Sequence, residues 1–153
     1  MNKFIIILLI SGTVFGQQTN RKLVWEENFD GKTLNDKVWN IELGDGCPNC
    51  GWGNNERQLY TNTNHRLENG NLVITAKKDG DSYTSTRITT KKKKEFQYGR
   101  LEARAKLPLG QGLWPAFWML GSNFSGSGWP KCGEIDVLEY VGREPHTVYT
   151  TLH

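Results

Sequence analysis

The sequence predicts an all-β fold, a sandwich or jelly roll of antiparallel sheets, on three observations. Turn-forming residues recur at short intervals, at Asp30-Gly31, Gly44-Asp45-Gly46, Asn69-Gly70, Asp79-Gly80 and Gly110-Gln111-Gly112. The runs between them are short and rich in β-branched or alternating residues. No helical period of apolar side chains persists across three capped turns. With 153 residues, 37% of them hydrophobic and 23% charged, the chain can build one modest core and lies outside the disordered and collagen-like classes.

The first segment reads as a leader rather than as part of the fold. Lys3 precedes an apolar run from Phe4 to Ile10, and the following stretch ends with small residues at Val14 and Gly16. That is the pattern of a secretory signal peptide over residues 1–16, cleaved after Gly16. The run is too short to span a bilayer, and no other stretch approaches about 18 apolar residues. A secreted or extracytoplasmic protein, free of the membrane after cleavage, is therefore expected. Three cysteines in such a compartment permit one disulfide and leave one thiol. Cys47 and Cys50 form a CxxC, but no second CxxC and no paired-histidine spacing completes a zinc site. Cys50 precedes Gly51-Trp52-Gly53 and Cys132 precedes Gly133-Glu134, so the pairings Cys47–Cys50 and Cys50–Cys132 both stay open.

The strands follow in order. Asn69-Gly70 is the strongest short hairpin cue, and Asn71 to Ala76 continues from it as a strand. Thr86 to Thr90 is rich in β-branched residues. Lys91 to Lys94 reads as a solvated turn that blunts a sheet edge. Arg100 to Leu107 shows the best alternation, with Leu101, Ala103, Ala105 and Leu107 on one face and Arg100, Glu102, Arg104 and Lys106 on the other. It predicts a strand with one buried and one wet face. A net charge of +3 is too slight for a nucleic-acid partner. Six Trp, five Tyr and six Phe are a heavy aromatic load, so some rings are expected to face a ligand.

The chemistry concentrates in Gly133 to Gly142, where Glu134, Asp136 and Glu139 lie within six residues, separated by apolar side chains. On a regular strand Glu134 and Asp136 share a face, whereas strict alternation sends Glu139 to the apolar side. Burying that carboxylate unpaired costs several kcal/mol, roughly. A β-bulge near Val137-Leu138 returns Glu139 to the face of the other two acids. Two alternatives stand beside this: an amphipathic helix with Ile135, Leu138 and Val141 on one stripe, and a calcium site. Three acids on one face fit retaining glycoside hydrolysis, in which one carboxylate attacks the anomeric carbon and another carboxyl protonates the leaving oxygen. Asp136 between them is a like-charge neighbour able to raise the pKa of the acid.

This segment resembles the family 16 glycoside hydrolases, specifically their laminarinase-like endo-β-1,3-glucanases. Trp52-Gly53-Asn54-Asn55-Glu56, Arg87-Ile88-Thr89-Thr90, Tyr98 to Arg104, Trp114 to Leu120, the acidic segment and Thr150 to His153 are similar to that family's motifs, in its order, from about Leu23 to the last residue. The acidic motif resembles the bulged form rather than the shorter one of the lichenases. The resemblance implies a jelly-roll sandwich of two antiparallel sheets of the concanavalin A-like kind, here incomplete, with residues 17–153 as the N-terminal part of a catalytic domain. It implies Glu134 as nucleophile, Glu139 as general acid/base and Asp136 as assisting carboxylate. By the same resemblance Trp114, Trp118 and Trp129 line the cleft, Asn54 and Arg87 hydrogen-bond sugars, and His153 is the cleft histidine. Glu56 and Arg100 are each candidates for a structural ion-pair partner on the concave face.

The resemblance further implies a β-1,3-glucan substrate, a monomer, no required cofactor and no catalytic metal. A structural calcium would draw on Glu26-Glu27 and the Asn69-Gly70 turn. Arg57, Leu59 and Lys92 to Lys94 depart from the family's pattern beside the site and bear on substrate preference. The competing readings are a non-catalytic carbohydrate-binding sandwich and an enzyme for mixed-linkage glucan, agarose or carrageenan. The acids favour an enzyme, since a binding module has no need of a Glu-x-Asp-x-x-Glu arrangement. The last residues read as the middle of a strand, which leads to the expectation that the acid-bearing strand lacks neighbours in this chain.

Overall fold

The computed structural model describes residues 21–153. The leader predicted over residues 1–16 lies outside them. The described chain is almost entirely β: β1 Asn40–Glu42, β2 Gln58–Tyr60, β3 His65–Leu67, β4 Leu72–Ile74, β5 Lys77–Asp79, β6 Ser82–Ser85, β7 Arg87–Thr89, β8 Ala116–Leu120, β9 Glu134–Glu139 and β10 Tyr149–Leu152. A 3₁₀ turn at Cys50–Gly53 and the single-turn helix α1 Phe124–Ser127 are the helical pieces. The expected all-β class is what the structure shows.

Local chemistry explains most of these elements. The β3–β4 hairpin turns on Asn69 and Gly70, both at positive φ (50° and 68°), with Glu68 and Asn71 exchanging backbone hydrogen bonds of 2.9 and 3.0 Å. Positive φ at both central positions is the demand of a type I′ turn, and Asn-Gly meets it. β1 pairs antiparallel with β7, and β5 with β6. The β2–β6 pairing is parallel, a departure from the purely antiparallel sheets expected. Lys91 to Lys94 does form a turn, with the Thr90 carbonyl accepting from Lys93 and Lys94 N–H. Lys93 stays exposed while its Nζ donates to the carbonyls of Asp36 (2.5 Å) and Trp39 (2.7 Å).

The site sits on the sheet β10-β9-β8, in which β9 is the central strand. This corrects the expectation that the acid-bearing strand lacks neighbours. Arg100 to Leu107 is a second correction, because no strand forms there. Period-two alternation describes an extended amphipathic segment, but a strand also requires a partner's N–H and C=O groups. Among the described residues no partner pairs with it. Val38 and Tyr140 are the apolar side chains buried most deeply among the described residues. Ile135 (43% exposed) and Leu152 (77%) leave the other side of the β10-β9-β8 sheet open.

Candidate active site

The β8–β9 register places the three acids together. Leu120 is opposite Glu134, Trp118 opposite Asp136, Phe117 opposite Leu138 and Ala116 opposite Glu139, so Val137 is the extra residue of a bulge. Residues 116, 118 and 120 alternate onto one face of β8, and their partners Glu139, Asp136 and Glu134 therefore share that face. The β10 side agrees: Tyr149 opposes Glu139 and Thr151 opposes Asp136, again with one residue more on β9. His153 continues the series, exchanging backbone hydrogen bonds of 3.2 and 3.1 Å with Glu134. The bulge argued from the cost of burying Glu139 is thus present, and the helical alternative is not.

Glu134, Asp136 and His153 gather tightly, with a carboxylate oxygen of each acid and a ring nitrogen of His153 within 4.8 Å of one another. Asp136 is buried, and its Oδ2 lies 3.2 Å from His153 Nε2. Burial, then the Asp136 charge, pushes the Glu134 carboxyl above its ordinary value; Glu139 adds to this, while His153 and Arg87 oppose it. At the far end of β9, Trp114 Nε1–H donates to Glu139 Oε1 at 3.1 Å. The segment carrying Trp114 is held by Gly142, whose N–H donates to the Leu113 carbonyl at 2.8 Å. The backbones approach so closely that a Cβ added to Gly142 would lie 1.7 Å from the Gly110 oxygen. Trp129 closes the other end, its ring 5.7 Å from that of His153.

The remaining predicted residues divide. Trp118 stands on the acid face opposite Asp136. Arg87 reaches it from β7, its guanidinium 4.9 Å from the Trp118 ring centroid and 4.6 Å from that of Trp52. Its Nε lies 2.9 Å from Glu42 Oε2, in an ion contact that is not an aligned hydrogen bond. Asn54 is not brought against the acids; it is exposed, with Nδ2 3.4 Å from Glu56 Oε1. Of the two candidate ion-pair partners, Glu56 has no ion pair among the described residues, whereas Arg100 has one. Glu56 Oε2 instead accepts from Tyr60 at 3.0 Å, and burial followed by the Glu56 charge pushes the Tyr60 phenol up to about 12. Arg100 pairs with Glu102 in an exposed contact. Glu42 escaped the sequence reading, since its role follows from standing opposite Arg87 across β1–β7, a pairing of distant segments.

The disulfide left open by the sequence joins Cys47 to Cys50, and Cys132 is a free, partly buried thiol. Of the acids expected to draw calcium, Glu27 is engaged locally, its Oε1 accepting from Phe29 N–H (2.9 Å) and its Oε2 from Trp39 Nε1–H (3.1 Å). Asp30 does fit. A Cβ built on Gly70 would lie 3.2 Å from Asp30 Oδ1 and 3.5 Å from the Asn28 carbonyl oxygen, so two hard oxygens converge over the β3–β4 turn. No helix among the described residues is long and apolar enough to cross a membrane.

Comparison with known proteins places these features in a family. Residues 53–153 match the model of the glycosyl hydrolases family 16. The chain is 44% identical over 164 residues to a glucan endo-1,3-beta-glucosidase of Cryptopygus antarcticus, covering 100% of this chain and 58% of that protein. The structure superposes on a laminarinase from Flavobacterium sp. UMI-01 with a TM-score of 0.85 and 76% identity, over 86% of this chain and 57% of the other. On the laminarinase catalytic domain from Thermotoga maritima MSB8 the TM-score is 0.80 at 47% identity, over 86% and 56%. The chain therefore spans rather more than half the length of the relatives it matches, and its fold is their jelly roll.

Proposed function

The chain belongs to the glycosyl hydrolases family 16, and from that premise we propose that the protein carrying it is a secreted, monomeric, endo-acting β-1,3-glucan hydrolase with a retaining mechanism. The observation that carries this reading is the bulge at Val137, which sets Glu134, Asp136 and Glu139 on one face between aromatic side chains. Glu134 and Glu139 stand four register steps apart, roughly 13 Å between Cα atoms at about 3.3 Å per residue. Glutamate side chains leaning together from that distance approach the separation of about 5–5.5 Å that a retaining pair requires.

In the first step Glu134 attacks the anomeric carbon while Glu139 protonates the departing glycosidic oxygen. The bond from carbon to that oxygen breaks as the glycosyl ester forms. Trp114 holds Glu139 Oε1 and leaves Oε2 to carry the proton. In the second step Glu139, now ionised, takes a proton from water, whose oxygen displaces Glu134 and returns the β-anomer. Asp136, with its Oδ2 3.2 Å from His153 Nε2, stands beside Glu134 as the assisting carboxylate. Trp114, Trp118 and Trp129 offer indole faces to the pyranose rings, with Asn54 on the flank. No cofactor takes part. Calcium over Asp30 and the Asn28 carbonyl would tie the 28–31 segment to the β3–β4 turn. Secretion rests on Lys3 and the apolar run that follows it.

The test is reducing-sugar release by the longest natural chain carrying this sequence, on laminarin, lichenan, agarose and carrageenan side by side, with Glu134→Gln as control. Laminarin is expected to be cleaved fastest, the first product by proton NMR to be the β-anomer, and Glu134→Gln to be inactive, with added azide yielding a glycosyl azide rather than a reducing sugar. Preference for another polysaccharide would overturn the substrate, and an initial α-anomer would overturn the mechanism. Binding without cleavage would favour the carbohydrate-binding reading.

A further inference from the structure

Arg87 was expected to serve sugars with its hydrogen-bond donors, yet its position suggests other work. The guanidinium carbon lies over the rings of both Trp52 and Trp118, at 4.6 and 4.9 Å from their centroids, and its Nε meets Glu42 at 2.9 Å. Two aromatic rings and a carboxylate thus surround the cation. A planar guanidinium suits such a setting, whereas a lysine ammonium, compact and strongly hydrated, does not.

The two rings belong to different parts of the molecule. Trp118 is on the catalytic sheet, opposite Asp136. Trp52 follows the Cys47–Cys50 disulfide in the 3₁₀ turn and sits at φ 54°, a left-handed backbone that is uncommon for a bulky aromatic residue. Its indole lies so close to Gly46 that an added Cβ would be 2.8 Å from Trp52 Cδ2, and its other neighbours are Tyr60 and Arg87. The indole Nε1 is buried with no hydrogen-bond partner among the described residues. Hydrogen bonding of the indole therefore does not hold this ring; the Trp52 backbone is tied by its N–H to the Asp45 carbonyl (3.1 Å), and the ring by its contacts with Tyr60 and Arg87.

We propose that Arg87 is a positioning residue: clamped by Glu42, it stacks Trp52 onto Trp118, fixing the Cys47–Cys50 loop as one wall of the cleft and placing a permanent positive charge near the acids. The inference rests on the hydrolase reading above. Its charge is felt at Glu134, where Asp136 and Glu139 on β9, His153 after β10 and Arg87 on β7 all act. Glu42 on β1 neutralises part of that charge, and Tyr60 on β2 is a further titratable group that Arg87 influences.

The experiment compares Arg87→Lys, Arg87→Gln and Trp52→Ala in the longest natural chain carrying this sequence. Arg87→Lys keeps the charge and loses the stack: KM for laminarin-derived oligosaccharides is expected to rise about tenfold, with kcat within about threefold and the acid limb of the pH profile unmoved. Arg87→Gln is expected to raise KM equally and to move the acid limb to higher pH. The Arg87→Lys/Trp52→Ala double variant should be no worse than Trp52→Ala alone, because both act through one contact. A Lys variant with parental KM, or fully additive effects, would overturn the proposal and return Arg87 to direct sugar binding. The indole N–H resonances of Trp52 and Trp118 supply a readout that needs no turnover. Both should move in Arg87→Lys; if they do not, the stack is absent, whereas resonances that move in a chain without hydrolytic activity refute the hydrolase reading alone.

Discussion

Burial and the Asp136 and Glu139 carboxylates push the Glu134 carboxyl upward, while His153 and Arg87 pull it down. A nucleophile works only when ionised, so the acid limb of kcat/KM is expected above the ordinary Glu value of about 4.3. His153→Ala removes one of the opposing influences and the partner of Asp136, and should carry that limb further up. A pH–rate profile decides this, and an unmoved limb would show that His153 is not felt at Glu134. The same shift has a sign for stability. With its folded-state pKa raised, Glu134 binds more protons folded than unfolded, so stability falls as pH rises from the unfolded value through the folded one, and the loss is complete above it. Glu134→Gln, which never ionises, should therefore melt no lower than the parent at pH 7. A lower melting temperature would mean that the charged form is stabilised in the folded state.

At the scale of elements, the Val137 bulge allows a sharper test than removing an acid. Asp136 and Glu139 face Trp118 and Ala116, two register steps apart, so Val137 adds a residue without adding length. Deleting Val137 leaves Glu-Ile-Asp-Leu-Glu, whose plain alternation keeps all three acids on one face. The deletion variant is thus expected to retain activity within about a hundredfold and to keep both strand pairings by hydrogen exchange. Complete inactivity with the pairings intact would show that the bulge shapes the site beyond aiming Glu139. The bulge was legible in the sequence because a single carboxylate on the wrong face is expensive enough to demand a local remedy. The Asn69-Gly70 hairpin was legible because its turn chemistry is local. The strand expected over Arg100 to Leu107 failed because alternation says nothing of whether a partner exists. The Trp52–Arg87–Trp118 stack was hidden for the same reason, since it joins a loop, β7 and β8 across the chain. The disulfide stayed open until the Cys47–Cys50 loop had a conformation.

At the scale of the whole molecule, surface area decides how these parts hold together. The chain exposes 13147 Å². A compact protein of its mass exposes roughly 7,900 Å² by the scaling of folded monomers. Setting aside all that twenty residues could expose when extended, roughly 3,200 Å², still leaves a clear excess. The excess is partly apolar: Ile135, Val148, Tyr149 and Leu152, on and beside the β10-β9-β8 sheet, are 43%, 52%, 42% and 77% exposed. Full burial of such a side chain is worth about 1.5–3 kcal/mol, and one left half in water forgoes roughly half of that. Several such losses are comparable with the 5–15 kcal/mol that usually separates folded from unfolded chains. The β10-β9-β8 sheet has good pairing and a poorly covered face, so backbone order can persist while side-chain packing does not. The 153-residue polypeptide by itself is accordingly expected to show far-ultraviolet circular dichroism of β type, to bind a hydrophobic dye strongly and to lose structure over a broad temperature range. A sharp calorimetric transition with matching van't Hoff enthalpy and weak dye binding would refute this, because cooperative melting requires a core that this surface does not leave room for.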